Sequence, residues 1–150
     1  MSEQPEPCIG CTACAMRCTD GIKISEFEFQ RIVEVLRALH PHRVRRVLYQ
    51  EKERDWFEGI TYTACLFLDV DNDQCMILPA RPLICRLFGR VKHLPCPLGK
   101  VPVDLDARRI LQAYGCQPLQ TFQQWMAASG CFNFDDLLDD AYEPPCHEIS

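Results

Sequence analysis

Four cysteines fall within eleven residues near the start of the chain, Cys8, Cys11, Cys14 and Cys18, in the spacing C-x2-C-x2-C-x3-C. Inert core thiols need no such crowding, whereas a short turning loop aims several thiolates at one point, the arrangement of a soft ligand shell for zinc or an iron-sulfur cluster. Seven more cysteines follow, making eleven in 150 residues. Cys65, Cys75, Cys85 and Cys96 recur every ten or eleven residues, and Cys116, Cys131 and Cys146 every fifteen. Hydrophobic residues amount to 47% with the cysteines counted and about 40% without them. So lean a core points to a second source of stability, which bound metal supplies.

The residues before Cys8 are polar and acidic and lack the apolar run of a secretory signal, so a cytoplasmic chain with reduced thiols is expected. An odd cysteine count also leaves a thiol over in any purely disulfide framework. No window approaches the roughly 18 to 20 consecutive apolar residues of a membrane-spanning helix, so no membrane partner is expected. A net charge of -5 argues against nucleic acid, which needs a concentrated basic surface. The basic residues Arg43, Arg45 and Arg46, next to His40 and His42, read as a solvated helix face. The acidic group Asp135, Asp136, Asp139, Asp140 and Glu143 reads as a solubilising surface. The length fits one domain spanning residues 1–150.

Ser25 and Glu28 form a capping box ahead of Phe29, Ile32, Val33, Leu36 and Leu39 at helical spacing, and Pro41 interrupts that helix. A second helix is predicted from Pro41 toward Asp55, carrying Val44, Val47, Leu48 and Glu51. From Thr63 the runs shorten around Asp71, Asn72 and Asp73, giving a small hairpin. In a straight hairpin turning there, Cys65 and Cys75 are offset by about four residues, roughly 13 Å. They share a metal only if the strands are short or the chain bends back. Pro79, Pro82, Pro95, Pro97 and Pro102 predict a loop-rich stretch. Further helices are predicted from an Asp106 cap through Ala107 to Tyr114, stopped by Gly115, from Leu119 to Ser129, and after Asn133. The fold class is therefore mostly α with a small β-hairpin: a compact, metal-stabilised single domain with a loop-rich cysteine cluster region.

The cysteines, with the string Arg81-Pro-Leu-Ile-Cys-Arg-Leu-Phe-Gly, resemble the YkgJ-type or CxxCxxCC cysteine-cluster family, whose members are described as zinc- or iron-chelating. The resemblance rests on Cys8, Cys11 and Cys14, on Cys65-Leu-Phe-Leu leading to Cys75, and above all on the Arg-Pro, Cys-Arg and aromatic sequence around Cys85. Cys96, in Leu-Pro-Cys-Pro-Leu-Gly, is similar to a cysteine of one branch. The resemblance covers about residues 8–114, leaving 115–150 as a helical C-terminal extension and acidic tail. It implies that Cys65, Cys75 and Cys85 join the N-terminal cysteines as ligands and that the hairpin bends. Two positions depart from the pattern, Ala15 where the family has its fourth N-terminal cysteine and Thr12 where it has glycine. Cys18 is the inferred replacement ligand.

Arg81 and Arg86 bracket Cys85, either offsetting thiolate charge and donating hydrogen bonds or pairing with surface carboxylates. His93 is an alternative ligand, and Cys146-His147 reads as tail. Asp69, Asp71 and Asp73 imitate a calcium loop, but Gln74 and Ala80 stand where it needs Gly and Glu, so they read as a turn. Cys116, Cys131 and Cys146 read as core or tail residues. The expected function is an iron-sulfur protein holding its cluster through Cys8, Cys11, Cys14, Cys18, Cys65, Cys75, Cys85 and Cys96, for electron transfer or cluster-dependent redox chemistry. Structural zinc is the alternative cofactor, and a metallochaperone or small metalloenzyme the third reading. The redox or protein partner is not legible in the chain.

Overall fold

A computed structural model describes residues 18–87, 90–91, 94–95 and 108–139. The first long element is α1 (Glu26–Ala38), opened by the expected capping box. Ser25 Oγ accepts from the Glu28 N–H at 3.3 Å, and Glu28 Oε1 accepts from the Ser25 N–H at 3.0 Å. Phe29, Ile32, Val33 and Leu36 make its buried stripe. Pro41 opens α2 (Pro41–Leu48), where its missing N–H costs nothing, and His40 caps the helix through Nδ1.

Helix α2 ends at Leu48, short of the expected Asp55, and residues 53–63 form a hairpin, β2 (Glu53–Phe57) with β3 (Ile60–Thr63). The turn decides this. Glu58 and Gly59 both have positive φ, 38° and 83°, which is the backbone of a two-residue hairpin turn and is foreign to a helix. The predicted hairpin also forms, but with two-residue strands, β4 (Leu68–Asp69) and β5 (Gln74–Cys75). The described part of the proline-rich stretch is more regular than a loop: it holds a 3-10 turn at Leu78–Ala80, helix α3 (Leu83–Leu87) and the strand pair β6 (Arg90–Val91) with β7 (Leu94–Pro95), while Pro97 and Pro102 lie outside the described residues.

Helix α4 (Arg108–Gly115) follows where a helix is expected but takes in Gly115, and the expected cap Asp106 and first residue Ala107 lie outside the described residues. Next, Gln120–Thr121 is strand β8 and not helix, pairing with β1 (Lys23–Ile24), and Thr121 then caps α5 (Phe122–Ala128) in a second capping box with Gln124. Gly130, at φ 83°, follows the end of α5, and Asn133 caps α6 (Phe134–Leu138). The described residues are thus about half helical, with four two-stranded antiparallel sheets: a mixed α/β fold in which the expected hairpin is accompanied by three further strand pairs.

The core lies between α1, α2, α5, α6 and the segment around β4 and β5. Phe122 sits between Phe29 and Phe67, with ring centroids 5.1 and 4.9 Å away. Trp125 Nε1 donates to the Ile24 carbonyl at 2.8 Å, satisfying the one polar group of a buried indole. The basic face of α2 is only partly free: Arg45 pairs with Asp135 at 3.0 Å and Arg46 with Asp69 at 2.8 Å. Among the described residues no helix is long and apolar enough to cross a membrane.

Candidate metal centre

Cys18, Cys65, Cys75 and Cys85 come from four separate segments that the fold draws together. Before β1, Thr19 bridges Ala64 in antiparallel fashion, flanked by Asp20 N–H to Thr63 O at 3.1 Å and Cys65 N–H to Cys18 O at 2.8 Å. Cys18 therefore lies across from Cys65. The chain then turns at once, with the Leu68 N–H donating to the Cys65 carbonyl at 3.0 Å. Because that turn precedes a strand of only two residues, Cys75 pairs with Leu68, and the Met76 N–H reaches the Phe67 carbonyl at 2.8 Å. Short strands and a bend both occur, and the 13 Å offset of a straight hairpin does not arise.

Cys85 lies within α3, not in a loop. The start of that helix is held by Glu28, whose Oε2 accepts from the Leu83 N–H at 2.6 Å. The same carboxylate accepts from the Tyr114 hydroxyl of α4. One side chain thus caps α1, fixes the first turn of α3 and anchors α4.

All four thiols are free and partly buried. The Cys18 thiol donates to the Cys65 sulfur, which pushes Cys18 up and holds Cys65 down. Burial pushes Cys75 up to about 11 and Cys85 to about 12, with the charge of Cys65 adding to both and Arg81 opposing both. Two cations face this group. The Lys52 side chain is buried, 9% exposed, and its Nζ donates to the Leu68 carbonyl and to Gln50 Oε1. Arg81 stands on the side of Cys75 and Cys85, and its buried Nε–H has no hydrogen-bond partner among the described residues. Arg86 is exposed.

The donor set fits a thiophilic metal or cluster. Reduced thiols, soft when ionised, share a partly buried region with positive charge and with an orphaned N–H suited to a sulfur acceptor. Among the described residues no three His, Cys, Asp or Glu side chains converge on one metal position, so the four thiols are gathered without being closed on a common centre. Cys8, Cys11, Cys14, His93, Cys96, Cys146 and His147 lie outside the described residues.

Of the other cysteines, Cys131 is 5% exposed within the core, as read, while Cys116 is exposed just after α4 and belongs to neither core nor tail. The calcium-loop imitation is a turn, as expected. Asp69 is occupied by Arg46, Asn72 and Gln50, Asp71 by Gln50 and Arg46, and Asp73 by Arg54. Sequence reasoning missed Lys52, which reads as an ordinary lysine between Glu51 and Glu53 on a presumed helix, and it missed the reach of Glu28 beyond its own cap.

The sequence model of the family CxxCxxCC, "Putative zinc- or iron-chelating domain", matches residues 7–131. The chain belongs to the CxxCxxCC family. The CxxCxxCC match takes in the four gathered cysteines together with Cys8, Cys11, Cys14 and Cys96, and it runs beyond residue 114 through α5 to Cys131. Zinc or iron chelation is accordingly the chemistry described for the CxxCxxCC family. No curated protein and no solved structure matches the chain.

Proposed function

We propose that this protein holds an iron-sulfur cluster through cysteine thiolates and serves electron transfer or cluster-dependent redox chemistry. Cys18, Cys65, Cys75 and Cys85 supply one group of ligands, and Cys8, Cys11, Cys14 and Cys96 supply the rest. Eight thiolates exceed the four of one ordinary cluster, which leaves room for two sites or a larger cluster. The observation that carries this reading is the gathering of four free thiols beside the unpartnered Arg81 Nε–H. A bound cluster supplies reversible one-electron chemistry. Arg81 donates its Nε–H to a sulfur and offsets thiolate charge, while Glu28 holds the helix that presents Cys85. The site works in the cytoplasm with a redox or protein partner, without nucleic acid or membrane.

Structural zinc is the second reading, favoured by the origin of the four thiols in four separate segments. A tetrahedral thiolate site joining such segments stabilises a fold that has a lean core. Anaerobic purification with absorption spectroscopy, metal analysis and acid-labile sulfide assay separates the two. The cluster predicts a coloured protein containing iron and sulfide. A colourless protein with stoichiometric zinc and no sulfide overturns the leading reading. Cys11→Ser and Cys85→Ser are expected to lower metal content, and Cys131→Ser to leave it unchanged; full retention in both of the first two contradicts a shared site.

A further inference from the structure

Cys18 and Cys65 stand opposite each other in a ladder of one rung. The Cys65 N–H donates to the Cys18 carbonyl and the Asp20 N–H to the Thr63 carbonyl, on either side of the Thr19–Ala64 bridge. In antiparallel pairing this puts Cys18 directly across from Cys65, with both side chains on one face. Both pack against the same small cluster, Ala64 and Leu68, and the Cys18 thiol donates to the Cys65 sulfur. Residues so placed stand about 5.5 Å apart at Cα, within the roughly 4.4 to 6.8 Å that a disulfide spans. Their Cβ atoms, about 4.5 to 5.5 Å apart in such a pair, must draw in slightly to reach the roughly 3.5 to 4.5 Å of a disulfide. The bridge is isolated and the chain turns away between Cys65 and Leu68, so no longer sheet resists that closing. Among the described residues no other two cysteines face each other across a ladder: Cys75 pairs with Leu68, Cys85 lies in α3, Cys116 is exposed after α4, and Cys131 is buried in the core.

From this we infer that Cys18 and Cys65 are a dithiol–disulfide pair, closed by a small-molecule disulfide and reopened by a small thiol. Both thiols are free and only partly buried, so an oxidant of that size reaches them. One thiol attacks the small-molecule disulfide, making a mixed disulfide and releasing the first small thiol. The other attacks the cysteine sulfur of that mixed disulfide; the Cys18–Cys65 bond forms as the bond to the small molecule breaks, and the second small thiol leaves. Two electrons pass from the cysteine pair to the small-molecule disulfide, and the two cysteine protons end on the two small thiols. The disulfide stands on the ladder alone, whereas its consequence rests on the metal-binding reading. With both sulfurs as ligands, closing the bond withdraws two of them at once, and bound metal in turn blocks the bond.

The test uses the full chain, purified reduced and exposed to oxidised glutathione, with EDTA in one portion and excess zinc(II) in another. Free thiols are then blocked by alkylation and the disulfides mapped by mass spectrometry. Trypsin releases Cys18 on a peptide, residues 18–23, that carries no other cysteine, and a second cleavage between Cys65 and Cys75 isolates Cys65. With EDTA the expected main product at Cys18 is a cross-link from that peptide to the Cys65 peptide, with both cysteines lost together from the alkylated pool and recovered by dithiothreitol. With zinc the cross-link is expected to form more slowly, and the oxidised chain to take up less zinc than the reduced one. Cys18 joined chiefly to another cysteine, left as a glutathione adduct, or still open to alkylation in the EDTA portion overturns the pair. A cross-link that forms as fast in zinc, without loss of zinc uptake, supports the pair and removes both cysteines from the ligand set, so the metal-binding reading of these two fails separately.

Discussion

The Glu28 carboxylate accepts from Ser25 in its own cap, from the Leu83 N–H at the start of α3 and from the Tyr114 hydroxyl of α4. Hydrogen bonds to a charged acceptor are individually strong, and three sources share this one. Glu28→Ala is expected to cost roughly 1 to 3 kcal/mol in urea denaturation of the apo protein, while Glu28→Gln, which keeps an acceptor oxygen, costs less. The same alanine variant frees the first turn of α3, so metal content should fall with stability. Half of this residue's role is legible in the sequence: Ser25 and Glu28 are three positions apart, and capping is a local geometry. Its bond to Leu83 crosses 55 residues and has no local signature. Lys52 is the extreme case, since its hydrogen bonds to Ala64 and Leu68 reach residues that do not neighbour it along the chain.

At the scale of elements, the end of β4 and the turn after it are fastened to α2 and to the segment that follows it. Arg46 reaches Asp69 at 2.8 Å and Gln50 reaches Asp71 at 2.9 Å. Asp69 is 3% exposed, and the Arg46 guanidinium holds its carboxyl well below the usual carboxylate range, with the donors of Asn72, the Asp71 N–H and Gln50 in support. A carboxylate depressed on folding stabilises the native state at pH values above its unfolded pKa, about 3.9, and that contribution disappears as pH falls toward the folded value. Acid titration followed by circular dichroism should therefore show wild type losing stability below about pH 4. Asp69→Asn should be less stable at neutral pH and show a flatter acid limb; equal acid slopes in the two proteins would refute the linkage. The helical periodicities of α1, α5 and α6 are legible because each buries one face with a local cap. The β2 and β3 hairpin is not, because Val44, Val47, Leu48 and Glu51 continue a helical spacing up to the point where Glu58 and Gly59 take positive φ. Tertiary pairing overrides propensity there.

Across the whole molecule, the four gathered thiols sit at the edge of a core built mainly by helices. Cys65 and Cys75 pack against that core, while Cys18 packs with Ala64 and Leu68. Spacing alone leaves Cys65, Cys75 and Cys85 open as core residues, and only the family resemblance groups them with the N-terminal cysteines; which atoms meet is not legible in the sequence, since it depends on a two-residue strand and a turn at Leu66–Phe67. If metal joins these segments, removing it opens them first. A chelator such as EDTA, under reducing conditions, is expected to lower the melting temperature and speed amide exchange in residues 64–87, with α1 and α5 retaining protection; a uniform loss of protection would instead make the metal a determinant of the entire core.

The pairing of β1 with β8, and the burial of Leu137 at 0% exposure, mean that the core is completed by the last described helices. Cys85 precedes Leu137 by 52 residues. During synthesis, then, the gathered thiols leave the ribosome well before Phe122, Trp125 and Leu137 arrive to close the core. The cysteines of the gathered group are therefore all synthesised ahead of the side chains that complete the core against which Cys65 and Cys75 pack.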